Sequence, residues 1–272
     1  VNANHADSSA CIIINGKLIA AIEEERINRH KHFSGYPIKS IQECLDIAKV
    51  NSTEITDFAF NTKPFSNFLP KSIFFLKHFS LKKNQPTKRI IKKMNIKDTL
   101  LNHFKLNKKI KFHFIEHHLA HIASAFYPSG FQKANGLSID GSGDFVTCAI
   151  AECKNNSIKI KKKTYFPHSL GIFYHGMTQF LGYKKYGEEY KMMGLAAYGV
   201  PKYFDKIIKY LFIKKSKNFF ELNLEYFNHQ KPNYKYITGD DLEIDQIYNN
   251  KLEKLFFEEI NSEKTYQDFQ KN

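Results

Sequence analysis

Histidines near the middle of the chain have the spacing of metal ligands. His117 and His121 are four residues apart, which places both imidazoles on one face of a helix, while His118 and His121 offer a second pairing at three residues. Asp140 ends the next apolar segment and can add a carboxylate. Imidazole and carboxylate together suit zinc, iron and other first-row divalent ions. We therefore predict a metal site formed by one of these two histidine pairs and Asp140, with a polar helix face as the alternative interpretation.

Two short segments place a carboxylate beside small residues, a composition typical of phosphate contacts. Residues 140–143 read Asp-Gly-Ser-Gly, where the missing side chains let backbone N–H groups approach an anion; an ordinary glycine turn is the alternative. Residues 5–9 read His-Ala-Asp-Ser-Ser, and a surface turn is the alternative there. The candidate anion-binding residues are Ser8, Ser9, Gly141, Ser142 and Gly143, with His5 and Asp7 beside them.

Charged residues in two more segments can contact an anionic ligand. Residues 23–26 are three glutamates and Arg26, with Lys31 soon after; they are either a solvated helix start or a means of presenting Arg26 and Lys31 to an anion. Residues 187–199 have glycines on both sides of a helix-like stretch that contains Glu189 and Lys191. We predict that the Met and Leu side chains of this stretch lie in the core.

Local patterns predict the elements that position these residues. Apolar runs over 10–14 and 17–22 flank Asn15-Gly16, a dipeptide that accepts the positive φ angles of a type I′ turn, so a hairpin is predicted. Pro37 stands in the first turn of a predicted helix, because apolar residues recur after it at helical spacing. Residues 55–60 have the composition of a short strand.

The middle of the chain continues this alternation of strands and helices. Apolar residues alternate over 110–114, which predicts a half-buried strand leading into a helix over 116–126. Further strands are predicted over 136–140, where the glycines of 141–143 stop the strand, and over 145–153. These patterns indicate an α/β domain with a mixed sheet and flanking helices.

Composition restricts the class of protein. The 272 residues are 42% hydrophobic and 15% aromatic, as in a folded globular protein, and no apolar run reaches the roughly 18 residues of a membrane span. A net charge of +14 suggests nucleic-acid binding as one interpretation. The lysines are scattered among Asn, Ile and Phe along the chain, however, so we do not expect the protein to bind nucleic acid. The four cysteines form no CxxC pair, so we predict that they are reduced thiols in the core of a cytoplasmic protein. They are Cys11, Cys44, Cys148 and Cys153.

Taken together and in this order, the segments resemble the NodU/CmcH-type carbamoyltransferases. That family includes enzymes that modify nodulation factors, cephamycin-type antibiotics and aminoglycosides. The resemblance extends over nearly the whole chain except residues 63–109, a basic and aromatic segment that we predict to be a helical insertion. The matching segments are residues 5–10, 15–26, 31–32, 117–128, 138–143, 166–171 and 187–199.

The resemblance implies an actin/Hsp70/sugar-kinase-like (ribonuclease H-like) lobe, similar to the threonylcarbamoyl-tRNA transferase catalytic subunit. In such enzymes a C-terminal domain makes carbamoyl-adenylate from carbamoyl phosphate and ATP with Mg²⁺, and the actin-like domain transfers the carbamoyl group to a hydroxyl of a saccharide or secondary metabolite. The family metal, iron or a similar divalent ion, is held by two histidines of an HHxxH helix and by aspartates. His117, His121 and Asp140 match these ligands.

Further roles follow from the same resemblance. His5 or Asp7 is the expected proton acceptor, Lys31 or Arg26 neutralises phosphate, and Glu189 and Lys191 contact the nucleotide. We expect residues 1–272 to be the N-terminal portion of the actin-like domain, incomplete at both ends and without a complete reaction of its own. Three alternatives stay open: an actin-like ATPase or kinase, a nucleic-acid-binding relative of the tRNA-modifying enzymes, and a non-catalytic remnant.

Overall fold

The computed structural model describes residues 1–78, 95–214, 219–231, 234, 236–237, 243–262 and 266–271. The chain divides into two units. Unit 1 comprises Val1–Ser66, Leu81–Ala120 and Tyr236–Glu243, and unit 2 comprises Asn67–Ser80, His121–Lys235 and Ile244–Asn272. No helix in the described part of the chain is long and apolar enough to cross a membrane.

Unit 1 begins with the hairpin that the sequence predicts. Strands β1 (Ser9–Ile14) and β2 (Lys17–Glu23) pair antiparallel. Asn15 and Gly16 between them have φ angles of 50° and 78°, the left-handed region that a type I′ turn requires. The prediction from the Asn-Gly dipeptide is confirmed. Helix α1 (Glu24–Asn28) follows directly.

The rest of unit 1 packs around a parallel strand pair. The elements are α2 (Ile38–Ala48), β3 (Asp57–Phe60), α4 (Ile96–His103) and β4 (Lys111–Phe114), and α3 (Phe68–His78) between them belongs to unit 2. β3 and β4 pair in parallel, so a crossover connection must join them. Phe60, Ile96 and Leu100 are almost completely buried in one apolar cluster. Residues 79–94 of the basic segment lie outside the described residues.

Unit 2 is built on an antiparallel sheet of three strands. Its strands are β5 (Lys133–Gly143), β6 (Val146–Lys154) and β7 (Ser157–Tyr165), and α5 (His117–Phe126) precedes them. Ile122 and Phe126 of α5 pack into the same apolar cluster as Val146 of β6. A side chain at Gly136 would place its Cβ 2.6 Å from Ile122, so glycine is required where the helix crosses β5.

Helices and one further strand pair complete the chain. They are α6 (Leu170–Phe180), α7 (Glu189–Ala196), α8 (Phe204–Leu211), β8 (Tyr236–Ile237), β9 (Glu243–Ile244), α9 (Asn250–Leu255), α10 (Phe257–Ser262) and α11 (Tyr266–Lys271). Leu211, Leu252 and Phe256 are buried in the cluster that joins several of these helices. The predicted α/β class with flanking helices is confirmed, and parallel and antiparallel pairs occur in separate sheets of two or three strands.

Two predictions about local structure are wrong. The glycines of residues 141–143 do not stop the strand, because β5 continues to Gly143 and the chain reverses at Asp144 and Phe145, whose φ angles are 50° and 75°. A register shift between Ile139 and Gly143 absorbs the extra residues as a bulge. Cys11 is exposed on β1 and is not a core thiol, whereas the other three cysteines are buried.

The first turn of α6 is packed directly against the backbone of β5. Ser169, which is fully buried, lies with its Oγ 3.0 Å from the carbonyl oxygen of Asp140 and 2.7 Å from that of Gly141. The same Oγ accepts the backbone N–H of Ile172 and thereby caps α6. A Cβ at Gly171 would lie 2.5 Å from the backbone nitrogen of Gly141. The contact therefore has no room for any side chain at Gly171.

A buried carboxylate caps helix α2 from outside that helix. Pro37, the residue before α2, has no side-chain acceptor for the first N–H groups. Glu24 is 4% exposed, and its carboxylate accepts the backbone N–H of Lys39 at 3.2 Å and that of Ser40 at 2.7 Å. The Ser40 hydroxyl also donates to Glu24, at 2.7 Å. Glu24 of the glutamate triplet is therefore a structural cap of α2.

Replacing Glu24→Ala is expected to lower the free energy of unfolding by about 1–3 kcal/mol, because buried donors at the start of α2 lose their acceptor. Urea denaturation measures the change. Glu23→Ala is the matched control, since the Glu23 side chain is 45% exposed and forms an ion pair with the exposed Arg26, so its loss should cost roughly 0–1 kcal/mol. Equal losses in the two variants would contradict the capping role.

Replacing Gly171→Ala is expected to lower the free energy of unfolding by about 1–3 kcal/mol, since the new Cβ must displace the backbone of Asp140 and Gly141. Thermal denaturation checks this result. Gly194→Ala is the control, because no atom lies within 4 Å of its Cβ position and alanine favours the helix by up to about 1 kcal/mol. A Gly171→Ala protein as stable as the control would show that the contact yields easily.

Candidate active site

Helix α5 and strand β5 bring together the side chains predicted as metal ligands. One ligand atom each from His117, His121 and Asp140 lies within 4.8 Å of the other two. Bonds of about 2.0–2.2 Å to one ion allow ligand atoms to be roughly 4 Å apart, so small side-chain rotations bring the set to binding distance.

The helix also decides between the two possible histidine pairings. His118 is completely buried and is not part of the ligand group, whereas His121 is half exposed. His117 is 5% exposed, and its Nδ1 lies 3.3 Å from the carbonyl oxygen of Asn61. A carbonyl oxygen only accepts, so this contact places the proton on Nδ1 and leaves Nε2 as the ligand atom.

The carboxylate of Asp140 changes the acid–base behaviour of His121. Nε2 of His121 lies 3.8 Å from Oδ2 of Asp140, within ion-pair range but long for a hydrogen bond. The contact with this carboxylate raises the pKa of His121, and partial burial of the imidazole opposes the effect. The other carboxylate oxygen of Asp140 accepts the backbone N–H of Gly141 at 2.6 Å. The site therefore attracts positive charge, from a proton or from a metal ion.

The loop before β1 places a further histidine beside His117. The ring centroids of His5 and His117 are 5.0 Å apart, and the rings are tilted by 34°. Asp7 lies in the left-handed region, with φ 55°, and its Oδ1 is 2.9 Å from Nδ1 of His32. Of the two predicted proton acceptors, His5 contacts a candidate ligand and Asp7 is held by His32.

The predicted anion contacts of unit 1 have other partners. The hydroxyl of Ser8 is buried, 2.6 Å from the carbonyl oxygen of Gly35, so its proton is used within the loop. Ser9 begins β1 and pairs with Asn2 through backbone hydrogen bonds. Arg26 forms ion pairs with Glu23 at 3.2 Å and with Glu25 at 3.6 Å. Lys31 is exposed in the turn beside His32.

Helix α7 carries the remaining candidates. Lys191 lies 2.6 Å from the Glu188 carboxylate, which raises the pKa of this lysine, and Glu189 contacts His175. None of the residues of α7, all of which are described, is buried. Met193 is 64% exposed, so its predicted place in the core is wrong, whereas Met192 is partly buried and packs against the core.

Sequence reasoning missed several residues that orient the site. Ser169 had a detectable signal, because a serine ahead of an apolar helical run is typical of a helix N-cap. Asn61 contributes its backbone carbonyl, which no side-chain pattern reveals. His32 and His175 meet carboxylates that are distant in sequence, so only the fold shows these pairs.

Comparison with known proteins identifies the family. Residues 1–261 match a family model described as "Carbamoyltransferase N-terminus". The chain is 34% identical over 242 residues to an uncharacterized protein of Synechocystis, sll1178, and the match covers 84% of this chain and 39% of that protein. It is 36% identical over 200 residues to nodulation protein NolNO of Sinorhizobium fredii, covering 72% of this chain and 28% of NolNO.

An archaeal relative extends the comparison. The chain is 28% identical over 192 residues to the uncharacterized protein MJ1051 of Methanocaldococcus jannaschii, covering 71% of this chain and 31% of that protein. The chain thus spans about a third of the length of these relatives. The resemblance deduced from the ordered motifs is confirmed, and the chain belongs to the carbamoyltransferase family, matching its N-terminal region over residues 1–261.

Proposed function

We propose that the protein transfers a carbamoyl group to a hydroxyl of a saccharide or secondary-metabolite acceptor. The observation that carries the proposal is the grouping of His117, His121 and Asp140 in a chain of the carbamoyltransferase family. The relatives named as nodulation proteins agree with the resemblance to enzymes that modify nodulation factors. Saccharides are therefore the first acceptor class to test.

The chemistry asked of this chain is modest if the donor is carbamoyl-adenylate, made from carbamoyl phosphate and ATP. In this mixed anhydride the carbonyl carbon is already activated. The acceptor oxygen forms a bond to that carbon, the bond to the phosphate oxygen breaks, and AMP leaves. The protein must hold an anion, orient the hydroxyl and accept its proton. The formation of the adenylate, with Mg²⁺, is not assigned to any residue of this chain.

His5 is the proton acceptor in this proposal. Its imidazole lies against His117, so a hydroxyl brought to the ligand group also meets His5. Asp7 is less suited, because its Oδ1 is already 2.9 Å from Nδ1 of His32. We assign Asp7 to the orientation of the loop that carries His5. Glu189 and Lys191 are assigned to the nucleotide.

The donor set fits a divalent metal ion. Two imidazoles and one carboxylate are typical of iron(II) sites that keep open positions, and zinc accepts the same ligands. A bound ion acts as a Lewis acid toward a phosphate or carbamoyl oxygen. The chain itself supplies the orientation: the Asn61 carbonyl fixes the ring of His117, and Ser169 fixes the backbone of Asp140. We also place the reaction in the cytoplasm, in agreement with cysteines that form no disulfide.

Metal binding is expected to depend on His121 and to weaken at low pH. Protons compete with the ion for the imidazoles, and because Asp140 raises the pKa of His121, this competition begins at a higher pH than for an ordinary histidine. Metal content after dialysis at several pH values measures the effect in the wild type and in His121→Ala. His103→Ala, at an exposed histidine of α4, is the control and should keep the wild-type content. Equal metal content in the two variants would exclude this site.

Titration of the metal-free protein tests the electrostatic contact itself. Nuclear magnetic resonance should give a pKa above 6.5 for His121, and Asp140→Asn should lower that pKa. Asp205→Asn, at an exposed position of α8, serves as the control and should leave His121 unchanged. An unaltered pKa in Asp140→Asn would mean that the two side chains do not interact in solution.

Carbamoyl transfer is tested by incubating the complete protein with carbamoyl phosphate, ATP and candidate saccharides. Mass spectrometry should detect the gain of one carbamoyl unit by an acceptor. His5→Ala is expected to lower the rate on the order of 10²–10⁴-fold, because the proton acceptor is lost, whereas His103→Ala should retain it. A phosphorylated acceptor with no carbamoyl product would favour a kinase of the same fold class.

A further inference from the structure

A buried histidine of α6 contacts a nucleotide-binding candidate of α7. His175 is 5% exposed, and its Nδ1 lies 2.5 Å from Oε1 of Glu189. The carboxylate only accepts, so a neutral imidazole carries its proton on Nδ1 and donates it to Glu189. The two residues are 14 positions apart and come from different helices. The contact therefore fixes the carboxylate relative to the core of unit 2.

Glu189 is the polar partner of this imidazole. Nε2 of His175 is buried and has no hydrogen-bond partner among the described residues. The nearest aromatic neighbour described is Tyr186, whose ring centroid lies 6.0 Å from that of His175. A buried nitrogen without a hydrogen-bond partner costs free energy, so the burial of this imidazole calls for an explanation. The hydrogen bond from its other nitrogen supplies one. The position of the Glu189 carboxylate is what that hydrogen bond determines.

None of the residues of α7 is fully buried, although Met192 packs against an apolar cluster of unit 2. A second contact lies one turn further along both helices, where the Thr178 hydroxyl, which donates to the carbonyl oxygen of Tyr174 at 2.9 Å, is 3.8 Å from the sulfur of Met192. The two contacts advance in the same direction along α6 and α7. Glu189 is the first residue of α7, and its side chain is 27% exposed. The Glu189 carboxylate is thus in contact with His175, and its side chain is partly accessible to solvent.

We propose that His175 is a positioning residue that orients the Glu189 carboxylate toward the hydroxyl groups of an adenine nucleotide. This inference rests on the proposed function, in which Glu189 contacts the nucleotide. A carboxylate accepts hydrogen bonds from ribose hydroxyls, and its affinity depends on how well it is oriented before binding. His175 supplies this orientation from a buried place and does not touch the ligand.

A buried histidine elsewhere in unit 2 offers a matched control. His229 is 5% exposed, and its Nε2 lies 2.8 Å from the backbone carbonyl oxygen of Pro167. Its ring packs against Phe166 and Phe227. His229 is therefore buried like His175, and each imidazole has one described hydrogen bond. The partner of His229 is a backbone carbonyl, whereas that of His175 is a carboxylate. Replacing His229 changes stability without changing any candidate ligand contact.

Equilibrium binding of AMP to the complete protein, measured by calorimetry, tests the proposal. His175→Ala is expected to weaken binding on the order of 10–100-fold, as found when supporting contacts around a site are removed. His175→Asn should recover most of the affinity, because its amide N–H₂ can occupy the place of Nδ1–H. His229→Ala should lower the melting temperature and leave AMP affinity unchanged.

A double-variant cycle separates positioning from general destabilisation. If His175 acts through Glu189, the variant with both His175→Ala and Glu189→Gln binds AMP no more weakly than Glu189→Gln alone. Additive losses would overturn the proposal, and so would wild-type affinity in His175→Ala. Failure to recover binding in a folded His175→Asn protein would overturn it as well.

The carbamoylation assay distinguishes this inference from the proposed function. If the wild type carbamoylates saccharides but AMP affinity is unaffected by His175→Ala, the function stands and the positioning role is wrong. If no carbamoyl product forms but only the His175 and Glu189 variants lose AMP affinity, the positioning role stands and the proposed reaction is wrong.

Discussion

The contact between the first turn of α6 and the backbone at Asp140 holds the candidate site together. The Ser169 hydroxyl lies within hydrogen-bond distance of two consecutive carbonyl oxygens there, and Gly171 allows the helix to approach without a side chain between. Helix α5 fixes the spacing of His117 and His121 by its own geometry, but nothing in α5 places the carboxylate. The ligand group therefore requires both the helical period of α5 and the close packing of α6 on β5.

Buried polar side chains fix the local geometry of the chain at several points. Glu24 caps α2, Ser8 holds the loop before β1, and His175 fixes Glu189. Apolar packing has little directional preference, whereas a hydrogen bond sets the orientation of the group that it joins. These contacts therefore define where functional atoms point, while the apolar clusters of the two units provide the stability that allows polar groups to be buried.

Local patterns predicted the features that depend on local geometry. The Asn15-Gly16 turn and the shared face of His117 and His121 follow from φ preferences and the helical period. The glycines of residues 141–143 misled the prediction, because β6 determines where β5 ends and a bulge absorbs the extra residues. Pairs such as His175 and Glu189 join separate helices, and no spacing along the chain encodes them. The family resemblance supplied the functional assignment that the residues alone left open.

Because no residue of α7 is fully buried, ligand binding to this helix can be observed in a particular way. A helix that buries none of its residues is expected to open at a lower free energy than a largely buried strand such as β6, so its amide hydrogens should exchange with solvent sooner. A ligand that engages Glu189 and Lys191 must first oppose this opening, and part of its intrinsic binding energy is used to order the segment. Occupancy of the site would then be recorded as slower deuterium uptake in α7, even by a ligand that leaves every average atomic position unchanged.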